Sequence, residues 1–425
     1  MLPHNRKPFL SRLTTQRVVR LPRDTIPPIT GYGRMIAGRT SLVMNEDVSK
    51  LQSADATVFE NMELEFPLDP ISGASSVEEE DNWGVGPKGL DAAAFWKAGA
   101  TGKHVRLGIA DSGVDILHPT FAKLHQGGRL VAFAHFDKQG KKVVQKSADG
   151  ALVDDRDAAP TFSHWHGTHC AAILVGEPTN GKARGMAPHA ELVVTRVLEQ
   201  SNVGTVAGIA AGLAWLAEQK CDIVSLSLGW PGKHEVWAGA ILEMIKNGTV
   251  VVAAVGNEFT VPGVPPSRSP ANYAITPRDD KQGLLIAVGA HDQEKNLWDD
   301  SGGEVADWAK VTVSGTDGVP KASRFATTPP FHTPTLLAPG VDIISASPNN
   351  QYRSSDGTSM ATPHVAGLLA LILSMMRSRN PEATARQAGD RLLAALSEKP
   401  LIEGEVRAGR GMIDTRRLVA DLSRG

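Results

Sequence analysis

From Trp83 onward, short apolar runs alternate with segments of helical character, and this alternation constrains the fold more than any other feature of the chain. The runs are rich in β-branched residues, as strands are when both faces of a parallel sheet are covered. Helical segments such as 206–218 and 236–246 lie between them. We therefore predict an α/β fold with a doubly wound, mostly parallel sheet flanked by helices. The expected strands are residues 105–110, 130–136, 192–197, 223–228, 250–255 and 284–288.

The first part of the chain has a different pattern. Period-two alternation at 18–23 and 56–66 predicts half-buried strands, and the segment 45–54, with acids in its first turn, predicts a short helix. The polar, acidic stretch 71–82 has the composition of a linker. We expect a small N-terminal α+β module with its linker over residues 1–78, followed by one large domain over 79–425.

Charge and composition narrow the classes of partner. The formal net charge of −2 gives no reason to expect nucleic acid or an anionic membrane as a partner. Two cysteines, Cys170 and Cys221, exclude a disulfide framework. The apolar segment 360–376 is short for a membrane span, so we expect a core helix there. The N-terminus has no apolar run of signal-peptide length, so the sequence predicts a cytoplasmic protein.

Asp111 follows the first predicted strand directly. In proteins with a parallel sheet, ligand-binding and catalytic residues lie at the carboxyl ends of the strands. A carboxylate held there is suited to orienting an imidazole. The sequence Asp111-Ser112-Gly113 is equally a turn signal. The aspartate alone therefore leaves both interpretations open.

Three histidines, His164, His166 and His169, open an apolar run. One interpretation is a general base at the start of a helix. A second is a zinc site, because this spacing is plausible for ligands, and a third is capping or packing of the helix start. The segment in isolation does not decide among them.

Ser359 begins another strongly apolar helix and is surrounded by small residues. At a helix N-terminus, free N–H groups and the helix dipole favour developing negative charge. An ordinary N-cap would not require small neighbours, whereas close approach of a substrate would. Asn257 follows the predicted strand 250–255, where its amide could donate to an oxyanion or simply turn the chain.

Together these motifs resemble those of the subtilisin-like serine peptidases, the subtilase or S8 family. Asp-Ser-Gly follows a strand, His-Gly-Thr-His opens a helix, Gly-Asn follows a strand, and Gly-Thr-Ser-Met-Ala-Thr-Pro-His opens a long helix. They occur in the order of that family, with aspartate first, histidine second and serine last. The resemblance extends over roughly residues 83 to 419.

The resemblance implies a serine endopeptidase that hydrolyses polypeptides through an acyl-enzyme and requires no cofactor. It implies that Ser359 is the nucleophile, His166 its general base and acid, and Asp111 the residue that orients the imidazole. Asn257 would donate to the oxyanion. His169 is expected to be structural.

The resemblance also implies a substrate cleft with two lining segments, of which the first would pair with extended substrate. Trp230 stands where the family commonly has glycine, so we expect part of the cleft to be narrowed. The implied substrate-binding residues are Ser227, Leu228, Gly229, Ala254, Val255 and Gly256.

Three departures from the family pattern stand out. The aspartate that often binds structural calcium is replaced by Thr120, so we expect the usual calcium site to be absent, although the matching loop offers Glu177 and Asn180. The stretch 298–335 is longer and more polar than the pattern, and we expect surface loops there. Related enzymes are commonly secreted, which conflicts with the lack of a visible signal peptide.

The N-terminal module is similar in size, position and pattern to the inhibitory propeptides of the family. The resemblance implies that the chain is a zymogen whose own N-terminal segment inhibits it and is cleaved by self-processing between Phe66 and Val85. A permanent extension is the alternative.

Three other functions remain open from the sequence. They are a metal-dependent hydrolase using the three histidines, a catalytically silent binding protein, and a ligase in which an amine resolves the acyl-enzyme.

Overall fold

The computed structural model describes residues 11–20, 33–37, 40–44, 57–65, 81–143, 162, 164–199, 203–273, 275, 279–315, 319–396 and 404–424. The helix predicted over 45–54 lies outside these residues.

In the region predicted to be the N-terminal module, the described residues form four antiparallel strands: β1 (Ser11–Arg20), β2 (Gly33–Ala37), β3 (Thr40–Met44) and β4 (Thr57–Glu65). Strand β1 pairs with β3 on one edge and with β4 on the other. Strand β4 confirms the strand predicted over 56–66. Strand β1 contains only residues 18–20 of the strand predicted over 18–23 and begins seven residues earlier, and residues 21–23 lie outside the described part of the chain.

The large domain is built on a sheet of seven parallel strands. They are β5 (Arg106–Asp111), β6 (Leu130–His135), β7 (Glu191–Arg196), β10 (Ile223–Leu226), β12 (Val250–Ala254), β14 (Leu285–His291) and β19 (Leu336–Pro339). Their order across the sheet is β19-β14-β12-β10-β5-β7-β6. The predicted doubly wound parallel α/β sheet is confirmed, and the sequence missed β19.

Helices cover both faces of this sheet. They are α1 (Ala92–Lys97), α2 (Ala122–Gln126), α3 (Trp165–Val175), α4 (Val206–Glu218), α5 (Ala238–Lys246), α6 (Thr358–Arg377), α7 (Ala385–Ala394) and α8 (Thr415–Arg424). Single 3₁₀ turns occur at Pro119–Phe121 and Val406–Ala408.

The sheet separates two hydrophobic cores, because successive side chains of a strand point to opposite faces. In β12, Val250 and Val252 enter the core that contains α3 and α6, whereas Val251 and Ala253 enter the core that contains α4 and α5. Every residue of β12 is buried. This two-sided burial explains the uninterrupted apolar runs of the sequence.

The remaining described strands are short. They are β8 (Leu198–Glu199), β9 (Val203–Thr205), β11 (Trp230–Pro231), β13 (Arg268–Ser269), β15 (Glu304–Ala306), β16 (Thr312–Gly315), β17 (Pro320–Ala322), β18 (Phe331–Thr333), β20 (Ile343–Ser347) and β21 (Gln351–Ser355). Four of them, β8, β9, β16 and β17, belong to the sheet that contains β1 to β4. The stretch 298–335, expected to be surface loops, thus contains four strands.

Helix α6 is longer than predicted. It has 20 residues and, by length and composition, could cross a membrane, so the argument that it is too short was wrong. Its most apolar 18-residue stretch is 94% buried inside the protein, as expected of a core helix. Among the described residues it is the one helix that meets those criteria.

The strand order reverses around β5. The chain moves from β5 toward β6 and β7 on one side, and then toward β10, β12 and β14 on the other. In open α/β sheets, the carboxyl end of a strand at such a reversal borders a crevice where ligands bind. Asp111 is the last residue of β5 and lies at this position.

Candidate active site

Asp111 and His166 form a buried hydrogen-bonded pair. Asp111 is fully buried and His166 is 2% exposed. The Nδ1 atom of His166 lies 2.9 Å from both carboxylate oxygens of Asp111, and the backbone N–H of Ser112 donates to Oδ1 at 2.7 Å. Since a carboxylate can only accept, Nδ1 must carry the proton. The neutral imidazole is therefore held in the tautomer whose Nε2 is a base.

A close approach of helix α3 to the end of β5 makes this pair possible. A Cβ atom on Gly167 would lie 2.2 Å from the carbonyl oxygen of Gly113, so only glycine fits. The hydroxyl of Ser112 accepts from the Gly167 N–H at 3.0 Å and donates to the carbonyl oxygen of His164 at 3.1 Å. His164 also caps the helix, its ring accepting from the backbone N–H of His166 at 3.4 Å.

Ser359 lies in the first turn of α6 and is 3% exposed. Its hydroxyl donates to the carbonyl oxygen of Ser227 at 3.4 Å, and the Ser227 hydroxyl donates back to the Ser359 carbonyl at 2.7 Å. The sulfur of Cys170 lies 3.5 Å from that same carbonyl oxygen and 4.0 Å from each ring nitrogen of His166. Cys170 therefore contacts both the His166 ring and the Ser359 backbone, and through these contacts residues 111, 166 and 359 lie in one region of the structure.

Asn257 is fixed beside the serine by Thr358. The Oδ1 atom of Asn257 accepts from the Thr358 backbone N–H at 3.0 Å and from its hydroxyl at 2.7 Å. Because Oδ1 faces Thr358 as the acceptor, the NH₂ group of the same amide is directed away from Thr358. The Thr358 hydroxyl also accepts from the Gly256 N–H at 3.2 Å. The sequence did not single out Thr358, although it directly precedes Ser359.

The two segments expected to line the cleft flank a buried ion pair. The guanidinium of Arg268 donates to Glu258 through two nitrogens, with Nε 3.0 Å from Oε2 and Nη2 on Oε1. A Cβ atom on Gly229 would lie 2.9 Å from Cβ of Arg268, and one on Gly256 would lie 3.0 Å from its Cγ. Arg268 therefore fills the space between the two segments.

The remaining residues of these segments are also buried. Leu228, Ala254 and Val255 are fully buried, and the Val255 carbonyl oxygen accepts from the Arg268 backbone N–H at 2.8 Å. Trp230, expected to narrow the cleft, stacks on His234 with ring centroids 4.0 Å apart.

Glu258 also touches the amide of the site. Its Oε2 accepts from the backbone N–H of Asn257 at 3.0 Å. Neither Glu258 nor Arg268 was recognised in the sequence as part of the site. Two oppositely charged residues ten positions apart in the sequence carry no signal that they are buried together.

The three histidines do not come together as metal ligands. His169 is fully buried with Nε2 3.2 Å from the Arg353 carbonyl oxygen, and burial lowers its pKa to about 3, so it stays neutral. Nδ1 of His166 faces Asp111 instead. Within the described residues, the group whose ligand atoms lie within 4.8 Å of one another is Asp111, His166 and Cys170. Burial raises the pKa of the Cys170 thiol, which disfavours the thiolate that a metal requires.

The loop expected to match a calcium site holds an ionic cluster. Glu177 is 6% exposed and forms ion pairs with Arg129 and with Lys123, the latter at 3.4 Å. Its charge is therefore already neutralised by side chains of the protein.

The chain is similar to known proteins over most of its length. The model of the Subtilase family matches residues 102–404. The major intracellular serine protease of Bacillus subtilis (strain 168) is 30% identical over 315 residues, covering 74% of this chain and 82% of that protein. Thermitase of Thermoactinomyces vulgaris is 31% identical over 309 residues, covering 72% and 88%. Subtilisin E of B. subtilis is 28% identical over 382 residues, covering 86% and 83%.

Proposed function

The chain belongs to the subtilase family and is a serine-type endopeptidase acting on polypeptides, and from this premise we propose that Asp111, His166 and Ser359 carry out its chemistry. The observation that carries this proposal is the pair of His166 Nδ1 with the buried Asp111 carboxylate at 2.9 Å, next to Cys170, whose sulfur lies 4.0 Å from the His166 ring nitrogens and 3.5 Å from the Ser359 carbonyl oxygen. These contacts support a common site for three positions that are widely separated in the chain.

In the proposed first step, Nε2 of His166 takes the proton of Ser359 as its Oγ attacks the carbonyl carbon of the substrate. Asp111 keeps Nδ1 protonated and stabilises the imidazolium that forms, without taking the proton. The imidazolium then protonates the leaving amine. Water attacks the acyl-enzyme in the same way and regenerates Ser359.

The negative charge that develops on the substrate carbonyl oxygen must be stabilised by hydrogen-bond donors. We assign this role to the side-chain NH₂ of Asn257 and the backbone N–H of Ser359. The hydrogen bonds of Asn257 Oδ1 to Thr358 support this assignment because they fix the orientation of the amide. The N-terminus of α6, where Ser359 lies, adds its dipole.

The test compares the wild type with Ser359→Ala on a peptide library and with a fluorophosphonate that labels activated serines. We expect cleavage and labelling in the wild type and neither in the variant. Ser378→Ala, a change at an exposed serine just beyond the end of α6, is the matched control and should retain both. Labelling at another serine, or cleavage by Ser359→Ala, would refute the assignment. Product masses distinguish hydrolysis from transfer to an amine.

A metal-dependent hydrolase is disfavoured by the same geometry. His164, His166 and His169 each have a different partner rather than a common centre. We expect a chelator to leave peptide cleavage unchanged.

We further propose that the N-terminal module inhibits the peptidase until it is cleaved by self-processing between residues 66 and 85. The end of β4 supports this role, because Glu63, Leu64 and Glu65 pair antiparallel with Thr205, Gly204 and Val203 of β9. Strand β9 leads directly into α4, which also contacts β2 and β4. The alignment with subtilisin E is too long to be confined to the large domain, so it includes part of the chain before it.

Mass spectrometry of the purified wild type and Ser359→Ala tests self-processing. We expect a cut in the wild type and an intact variant. Cleavage of both, or of neither, contradicts the proposal.

We propose that the peptidase works without structural calcium at the usual position. The ion pairs of Glu177 with Arg129 and Lys123 support this, because they supply positive charge where a cation would otherwise do so. Added calcium should leave the melting temperature of Ser359→Ala unchanged. A large rise would refute the proposal.

A further inference from the structure

Strands β16 and β17 form a hairpin, here called the inserted hairpin, within the stretch that is longer than the family pattern. Thr312 pairs with Ala322, Val313 with Lys321 and Ser314 with Pro320. The side chains of Thr312, Ser314, Pro320 and Ala322 are exposed. The inserted hairpin therefore has little core of its own, and an isolated two-stranded hairpin is marginally stable in water.

The base of the inserted hairpin, in contrast, is firmly anchored in the large domain. Trp308 and Phe325, just outside the two strands, are 1% and 4% exposed and pack with ring centroids 4.8 Å apart. The Trp308 indole donates to the carbonyl oxygen of Asn272 at 2.7 Å. The Ser323 hydroxyl donates to the buried carboxylate of Glu235 at 2.9 Å. Because its base is fixed and its strands are exposed, the inserted hairpin should be stabilised by pairing with a further strand.

That partner is strand β4 of the N-terminal module. Ser314 pairs antiparallel with Val58, and Gly315 with Thr57. Because β1 occupies one edge of β4, the inserted hairpin and β9 both lie on the other edge. The hairpin pairs with the start of β4, and β9 pairs with its end.

We propose that the inserted hairpin is a second attachment site for the N-terminal module, which holds the module on the peptidase domain by continuing its sheet. Backbone hydrogen bonds of an added strand supply the affinity, so the site does not depend on particular side chains of the module. Both β9 and the hairpin pair with β4 itself, so these pairings are not broken when the linker is cut. The module therefore stays bound after the linker is cut. This inference rests on backbone pairing and holds whether or not the module inhibits the enzyme.

The test uses the full chain carrying Ser359→Ala, with the recognition sequence of a site-specific protease placed in the linker between residues 71 and 80. After the cut, release of the labelled N-terminal fragment is followed by fluorescence anisotropy and size-exclusion chromatography. Because catalysis is absent, the outcome is independent of the function proposed above. We expect the fragment to remain with the large domain on gel filtration.

The decisive variant replaces residues 312–322 by Asn-Gly. The N–H of Ser323 donates to the carbonyl oxygen of Val311 at 2.9 Å, which is the bond that closes a two-residue turn, so the anchored base is kept. Loss of two paired residues should speed release by about tenfold or more. Thr312→Ala keeps the backbone pairing and is the matched control. Release by the Asn-Gly variant within about twofold of this control would overturn the inference.

A second measurement covers the case in which the shortened variant does not fold. In the uncut Ser359→Ala chain, Gly315→Pro removes a strand N–H without shortening the hairpin. Successive N–H groups of β4 point to opposite edges, so one of Thr57 and Val58 faces β16 and the other faces β1. Hydrogen exchange at the one that faces β16 should become faster, while exchange at Glu63 and Leu64, opposite β9, should not change. Unchanged exchange at Thr57 and Val58 would refute the proposed attachment.

Discussion

Replacing Arg268 with methionine is expected to destabilise the protein strongly, because it leaves a buried carboxylate without its partner. Methionine keeps an apolar stem but removes the guanidinium that donates to Glu258 through two nitrogens. The side chains of the pair are 3% and 4% exposed, so water has little access to replace the lost contacts.

Two estimates of the cost agree. Breaking a buried ion pair by removing one partner typically costs about 3–5 kcal/mol. The attraction of unit charges roughly 4 Å apart is about 4 kcal/mol at an effective dielectric constant near 20. We therefore expect the free energy of unfolding to fall by about 3–5 kcal/mol in Arg268→Met.

The double variant Arg268→Met with Glu258→Gln provides the stricter test. Glutamine removes the unpaired charge but still accepts the N–H of Asn257, which Glu258 accepts at 3.0 Å. We expect this variant to lose only about 1–2 kcal/mol. The same double change in the active enzyme should preserve kcat for small peptides, since the backbone of Asn257 remains supported.

Urea unfolding of these variants in the Ser359→Ala background avoids autolysis. Arg417→Met is the matched control, because the Arg417–Asp421 pair is 61% and 53% exposed and should contribute less than about 1 kcal/mol. The reasoning fails if Arg268→Met costs no more than this control, or if the double variant is less stable than Arg268→Met alone.

Three further predictions address the site and the core. Asn257→Ala should lower kcat by about 10²–10³ with little change in KM, measured on a peptide substrate, as expected for the loss of one oxyanion donor; an unchanged kcat would exclude that role. Mercurial reagents should inhibit through Cys170, so Cys170→Ala should be resistant while Cys221→Ala, a change at the other buried thiol, stays sensitive; inhibition of both would refute this. Burial lowers the pKa of His169 from 6.5 to about 3, so below pH 6.5 the unfolded chain binds a proton that the folded chain does not. His169 should therefore reduce stability as the pH falls from 6.5 toward 3, by roughly 1.4 kcal/mol per pH unit. His169→Asn should flatten the acid limb of the unfolding profile, and an acid limb as steep as that of the wild type would refute this.

The strands and the site motifs could be predicted because each has a local signal. The run before Asp111 is apolar on both faces of the sheet, and small residues around Ser359 allow close approach at the start of α6. Strand β19 was missed because its four residues end on a proline and give no periodicity. The length of α6 was underestimated because its first turn consists of the small residues that mark the site.

Contacts between distant segments left no such signal. The position of Arg268 against Gly229 and Gly256 depends on how two loops pack, which no window of sequence contains. The pairing of Ser314 with Val58 joins parts of the chain that lie in different predicted units. The stretch 298–335, which in the sequence is only long and polar, thus contains the inserted hairpin that pairs with β4.

The position of β4 has a consequence for how the chain is made. Its pairing with β1 is local and can form early, but its other edge needs β9 and β16, which leave the ribosome much later. Long-range strand pairing of this kind is slow because a large loop must close first. The edge of β4 therefore remains open during translation until the chain has been synthesised beyond Gly315, the last residue of β16.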